Sequence, residues 1–399
     1  MKKIAILSLC ITFILFAIIY FRDDNRSDEL NPETTIEKLK TIPYLSWIAI
    51  DESDKDKAGV TKYDESVSYN GMNIYNSRSR SEAHLMDMNG RILHSWSLKT
   101  DGWQHIELHK NGDLFVIIKG LFLMKLDKDS NVIWKNKSQH HHDVDISETG
   151  DIYSLTKGVT RINYLFKSIP ILDNYLTILD LNGKLKKEIS FYKLFREKIP
   201  KTRLENIIEV INTTPKEEIK IIDDTCFDIF HSNTVEIIKK DIQGLCKKGD
   251  LLVAVRNLDI IAIVDIDDEK MIWSWGEGEL EVPHHPSILD NGNILIFDNG
   301  GKRKFSRILE VNPVTRKIVW EYKATPPKSF YSGSRGGCQK LPNGNVLITE
   351  SNKGRVFEIT TDGTIVWEFY NPDINEKKNK RATIYRMMRL DKNLAKLFR

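Results

Sequence analysis

Apolar and polar positions alternate in short runs along most of the chain. Clusters of Asn, Asp and Gly separate the runs, which predicts strand after strand joined by tight turns. One unit recurs: an apolar strand, a polar turn, and a second strand that often ends in Trp. It is read at Leu85–Trp96, Leu126–Trp134, Val264–Trp273, Glu310–Trp320 and Glu358–Trp367, with a weaker copy at Leu179–Leu185. A second unit, a polar turn ending in Gly and then a strand, precedes most copies, with its glycines at Gly112, Gly150, Gly249, Gly292 and Gly344. The turn residues accept the backbone angles that hairpins need. Hairpins that repeat at roughly 40–50 residues are the signature of propeller blades. The expectation is an all-β fold, a six-bladed β-propeller over residues 61–375.

Three stretches interrupt the pattern. Between the third and fourth copies, residues 190–225 carry Leu, Phe and Ile at helical spacing among many Lys and Glu. They are expected to form a helical insertion. At the N-terminus, Met1-Lys2-Lys3 precedes a run from Ile4 to Phe21 without charge, close to the minimum for crossing a bilayer. Its end, Phe16 to Phe21, is bulky where a cleavage site would be small. Residues 1–21 are therefore expected to be a retained signal anchor, a transmembrane helix with Lys2 and Lys3 on the cytoplasmic side. The rest of the chain would then lie outside the cytoplasm, in the periplasm or cell envelope. Residues 22–60 read as a polar linker, and residues 376–399 as a basic C-terminal tail.

Composition narrows the function classes. The chain has 399 residues, 29% of them charged, and a formal net charge of +3. Lys and Arg are scattered, so nothing electrostatic calls for a nucleic-acid partner. Of four cysteines, Cys226 and Cys246 flank a predicted strand pair. They are read as a disulfide or as two free thiols, and both readings stay open. No Cys-x-x-Cys spacing suggests zinc or redox chemistry.

Histidines carry the candidate chemistry. His142 stands eight residues before Gly150, and His284 eight before Gly292. The corresponding strand between them carries His231, with a longer loop to Gly249. Equivalent positions on successive blades ring one mouth of a propeller channel, so these three side chains are expected to converge. A metal-dependent propeller enzyme is a competing reading, since three imidazoles can hold zinc and Gln139 to Asp143 includes three consecutive histidines. A non-catalytic propeller that binds an envelope polymer or a protein is another.

These residues carry a family resemblance. His141-His142-Asp143, His231-Ser232-Asn233, Val255-Arg256-Asn257-Leu258 and His284, followed by Leu289 to Gly300, resemble the bacterial arylsulfotransferases. Gly336 to Asn345 and Gly354 to Ile359 are similar to the last blade of that family. The likeness runs in order from about Tyr69 to Pro372. It implies transfer of a sulfuryl group from an aryl sulfate ester to a phenolic or other hydroxyl acceptor, through a sulfurylated histidine and without a cofactor. By motif position the nucleophile is His284. His142, His231, Asn233 and Arg256 would surround the sulfuryl oxygens or serve the phenols. The family often has Gln before its nucleophile and Asp after it, whereas Pro283 and His285 flank His284. His285 therefore remains an alternative nucleophile, and His141 an alternative to His142. Arg335 is a further candidate for binding the anionic substrate. Arg256 suits the oxygens as a fixed cationic fork, and a neutral imidazole is a competent nucleophile near pH 7.

Overall fold

The computed structural model describes residues 46–100, 102–213 and 227–398. The predicted membrane segment 1–21, residues 22–45 of the predicted linker, residues 214–225 of the insertion, and Cys226 lie outside the described residues. Among the described residues no helix is long and apolar enough to cross a membrane.

The chain divides into two compact units. The larger spans residues 46–158, 173–196 and 230–399. It is built on antiparallel sheets whose strands follow one another in sequence. Six four-stranded runs succeed each other, and each begins with an inner strand. In chain order these are β1 (His105–Leu108), β2 (His140–Ile146), β3 (Ser232–Ile237), β4 (His284–Ile288), β5 (Gly337–Lys340) and β6 (Ile384–Leu390). Each packs against the next, and Tyr385 of β6 returns to within 5.4 Å of the His105 ring of β1, so the inner strands meet in cyclic order.

Alternation explains how the sheets stack. In the strand Leu114–Ile118 every residue is buried. Leu114, Val116 and Ile118 join an apolar cluster with Met72, Leu85 and Trp96 of one neighbouring sheet. Phe115 and Ile117 join Val144, Ile152 and Leu179 of the other. Successive side chains point to opposite faces, so one strand feeds two interfaces. Ile294–Asp298 repeats this, with Ile294 and Ile296 on one side and Leu295 and Phe297 on the other.

The recurring Trp has a second job. Four of the indole N–H groups donate to a carbonyl at the turn of the following sheet: Trp134 to Leu181, Trp273 to Pro313, Trp320 to Thr361 and Trp367 to Met88; Trp96 Nε1 makes no hydrogen bond among the described residues. At Trp273 and Trp367 the ring is buried while its polar atom is satisfied.

Two boundaries differ from expectation. Residues 376–399 are not a tail: Ile384–Leu390 pairs with Met72–Ser77 and supplies the inner strand of the first sheet. Its residues Ile384, Tyr385 and Met387 are buried. Local periodicity alone does not reveal this, because the partner strand lies at the other end of the chain. Residues 22–60 are not wholly a linker either, since Gly59–Tyr63 adds a strand to the outer edge of the last sheet, pairing with Ile365–Tyr370.

The smaller unit includes residues 159–172 and 197–229, described up to 213 and again from 227. It holds the tip of the hairpin formed by Ile152–Tyr164 and Lys167–Leu179, and the helix Lys201–Thr213. That helix, with the short helix Phe191–Phe195 of the larger unit, matches the expected helical insertion.

Candidate functional site

The inner strands start irregularly, and the irregularities hold the candidate residues. Pairing registers shift at His141/Val144 in β2, Ser232/Thr234 in β3, His284/Ser287 in β4 and Ile384/Met387 in β6. Such bulges bend a strand and re-aim its side chains, and they gather next to active sites. Four candidates also adopt positive φ: His142 at 62°, His231 at 46°, His285 at 45° and Arg335 at 62°. Left-handed backbone at non-glycine residues costs energy and persists where the surroundings impose it.

The histidines come together. The rings of His142 and His231 meet edge to face at 5.0 Å. His284 is near enough to both for their charges to act on one another, and the Arg256 guanidinium acts on His284 as well. Ladder register adds a correction. Counted back from the equivalent turn residues Ser147, Ile238 and Leu289, Asn233 stands level with His142 and His284. His231 precedes β3 and reaches the cluster from the loop. The longer loop before Gly249 obscured this offset in the sequence.

Hydrogen bonds assign the imidazole atoms. His141 Nε2 lies 3.2 Å from the Thr156 carbonyl, which can only accept, so Nε2 is the donor. His141 Nδ1 then accepts from His142 Nδ1 at 2.7 Å, and His142 keeps a lone pair on Nε2. His141 therefore supports His142 from behind. The His142 amide donates to Gln104 Oε1 at 3.2 Å.

His284 and His285 have different neighbours. His284 Nδ1 is 2.7 Å from Asn299 Oδ1 and 3.0 Å from the Val282 carbonyl, and its Nε2 accepts from the Arg335 amide at 3.2 Å. His285 Nδ1 accepts from the Cys338 amide at 3.1 Å, and the charges of Arg386, Asp143 and His105 act on it. Arg256 and His231 act on His284, whereas Arg386, Asp143 and His105 are the main charges acting on His285.

Burial sets the protonation states. His284 is pushed down to about 3, by desolvation first and then by Arg256. His142 is held well below the usual imidazole range, again by desolvation, then by the charge of Lys119. Both are neutral bases near pH 7.

Asn233 is fully buried, and its Nδ2 donates to the Pro283 carbonyl at 2.9 Å. Arg256 opens a short 3₁₀ turn and donates to Asn257 Oδ1 at 2.8 Å. Arg335 enters chiefly through its backbone. Beside it, Gly336 has φ of 108°, and a Cβ there would lie 2.8 Å from the Phe297 ring. That residue lets the Arg335 segment approach His284.

Several members were not anticipated. Asp143 Oδ1 accepts from Arg386 at 3.0 Å and lies 3.1 Å from His105 Nε2, while its Oδ2 accepts from the Val235 amide at 3.1 Å. Burial raises the Asp143 pKa, yet Arg386 and His105 outweigh it and hold the carboxyl below its ordinary range. Tyr385 is buried with its ring 6.4 Å from His142, and its hydroxyl makes no hydrogen bond among the described residues. Arg386 and Tyr385 were missed because their segment reads as a tail. Asn299 was not singled out, although it lies within the Leu289 to Gly300 stretch that carries the resemblance. Among the described residues, no three His, Cys, Asp or Glu side chains are arranged to hold a metal ion, so the three-imidazole zinc geometry is not formed.

The family model for arylsulfotransferase (ASST) matches residues 105–372. The chain belongs to the arylsulfotransferase family. That span includes His142, His231, Asn233, Arg256, His284 and Arg335 and stops before β6. No curated protein matches. Among solved structures, a protein of unknown function from Bacteroides caccae is similar at a TM-score of 0.53 and 12% identity, over 81% of this chain and 99% of that one. A streptogramin B lyase reaches a TM-score of 0.47 at 12% identity, over 87% and 99%. The Dos1 propeller reaches 0.41 at 9% identity, over 79% and 77%. At such identities the likeness concerns the fold alone.

Proposed function

We propose that this family member is a six-bladed β-propeller that moves a sulfuryl group from an aryl sulfate ester to a phenolic or other hydroxyl acceptor, with His284 as the nucleophile. The observation that carries the reading is the environment of His284. It is a buried neutral imidazole under the charge of Arg256, grouped with His142 and His231. A transferring sulfuryl group keeps negative oxygens, so positioning and fixed positive charge are what catalysis requires. Arg256 supplies that charge, Asn233 a neutral donor, and the Arg335 segment borders the same atom. His142, with its lone pair on Nε2, is the base that takes the acceptor's proton. Splitting the transfer at His284 gives ping-pong kinetics.

The geometry favours His284, on which Arg256 and His231 act, over the neighbouring His285, whose surroundings are Arg386, Asp143 and His105. It favours His142 over His141, whose two ring nitrogens are both engaged. The apolar run before Phe21 supports placement of the propeller outside the cytoplasm on a membrane anchor.

The test is intact-mass analysis after exposure to an aromatic sulfate ester. One sulfuryl group should be gained, located on His284 by peptide mapping and absent from His284→Ala. A mass unchanged with every aryl sulfate tried, or a label on His285, would sink the assignment.

A further inference from the structure

A neutral histidine attacks only through the ring nitrogen that holds a lone pair, so its tautomer decides which atom reacts. At His284 three contacts select the same tautomer. The Val282 carbonyl, 3.0 Å from Nδ1, can only accept, so Nδ1 carries the hydrogen. Asn299 Oδ1, at 2.7 Å, accepts from the same N–H. The orientation of that amide is set from its other end, where Nδ2 donates to the Ser332 and Arg335 carbonyls, both at 2.5 Å. On the opposite edge of the ring the Arg335 amide donates to Nε2 at 3.2 Å, which requires a lone pair there.

Resting on the sulfurylation reading above, we propose that Asn299 is a positioning residue that locks His284 in the Nδ1–H tautomer, reserves Nε2 as the reacting atom, and ties down the Ser332–Arg335 segment beside it. Asn299 is itself fully buried. As the Nε2 lone pair forms the N–S bond, the Arg335 amide gives way and the S–O(aryl) bond breaks. The aryl oxygen leaves with that bond's electrons. Nδ1 keeps its proton, so the ring becomes a sulfonated imidazolium whose positive charge two neutral oxygens stabilise without removing the proton. In the return step the acceptor oxygen attacks sulfur, the N–S electrons go back to Nε2, and the acceptor's proton passes to His142.

A neutral amide suits this role better than a carboxylate. The charges of Arg256 and His231 disfavour protonation of the ring, the Arg335 amide donates to Nε2, and Asn299 adds no charge to oppose them. An Asp at this position would attract a second proton to Nε2 and remove the lone pair.

The experiment is long-range ¹H–¹⁵N correlation NMR on the full-length protein, with the His284 signals assigned by loss in His284→Gln, paired with steady-state kinetics. The wild type should show Nδ1–H and a bare Nε2. Asn299→Leu should show mixed tautomers and a kcat lowered about 100-fold, with KM changed far less. Because Leu also releases Ser332 and Arg335, Asn299→Asp is the second variant. It should move the acid limb of the kcat profile to higher pH, which a merely structural role would not do. A wild-type His284 with its proton on Nε2, or an Asn299→Leu protein with unchanged tautomer and kcat, overturns the proposal. The NMR measurement needs no sulfate donor. A locked tautomer in a protein that never gains a sulfuryl group therefore refutes the transfer reading alone, and a sulfurylated His284 resting as Nε2–H refutes this one alone.

Discussion

Along β2 the histidines His141 and His142 lie near the start and Asp145 near the end, and the neighbouring inner strands divide in the same way. Asn233 lies near the start of β3 and Glu236 near its end; His105 begins β1 and Glu107 lies near its end. At the histidine end, burial pushes the bases down, so His142 and His284 lose their protons. At the carboxylate end, burial pushes the acids up. Glu107 and Glu236 rise to about 8, from desolvation first and then from the charge of Asp145, and Asp145 is itself raised. Both ends shed charge by opposite routes, because a low-polarity interior penalises either ion. Asp143, between them on β2, keeps its charge because Arg386 meets it directly. The charge that survives near His284 belongs to arginine, which cannot deprotonate. The two ends also differ in what their side chains are engaged with. Asp145 and Glu236 accept from the amides of Ile237 and Ile288 on the next strand, a structural use. His142 Nε2 has no such bond among the described residues.

The sharpest way to break the contrast is to exchange one group from each end. If His284 is the nucleophile as proposed, His284→Ala should lower turnover by about 10⁴-fold, since the proposed intermediate could no longer form. Glu236→Gln should leave kcat/KM within about twofold. If the Glu236 variant loses activity comparably, the division into a chemical and a structural end is wrong. Next in size, Asp143→Asn removes one partner of a buried pair and should cost about 3–5 kcal/mol in a denaturant titration. The wild-type pair should also weaken in acid: the folded pKa is depressed, so its contribution is present above the unfolded Asp range and is lost as pH falls through the folded value. Arg256→Lys keeps the charge but loses the fork, and a 10- to 100-fold fall in kcat/KM is expected, about 1.4–2.8 kcal/mol. An unchanged value would show that only a point charge matters there. The smallest effect has the opposite pH sign to the second. Glu107 and Glu236 have raised folded pKa values, so their contribution is full below the unfolded value of 4.5 and is lost as pH rises through about 8. Glu236→Gln should therefore stabilise the protein by about 1 kcal/mol at pH 8 and flatten the decline between pH 5 and 8. A variant no more stable than wild type at pH 8 would mean that the wild-type carboxylate pays no penalty for ionising there.

Much of this architecture is readable from local pattern. The six strand-turn-strand copies fall on six observed hairpins, from Glu82–Met86 with Ile92–Ser97 to Arg355–Ile359 with Ile365–Tyr370. Period-two alternation and turn chemistry are properties of neighbouring residues, so they survive without tertiary knowledge. His142 and His284 were also legible, because their spacing to the turn glycines is the same. His231 was found for a partly mistaken reason. It meets His142, but Asn233 holds the equivalent ladder position.

What the sequence by itself determined is the six strand-turn-strand units, their turns and the inner-edge histidines His142 and His284, since each depends on a few consecutive side chains. The tertiary structure alone decided that β6 completes the first sheet and brings Arg386 to Asp143. It likewise decided that Asn299 faces His284 and that His285 turns toward Asp143 and Arg386 rather than Arg256. Those outcomes depend on bulges, left-handed residues and pairings between distant segments. Their energies come from groups brought together only when the inner strands have met.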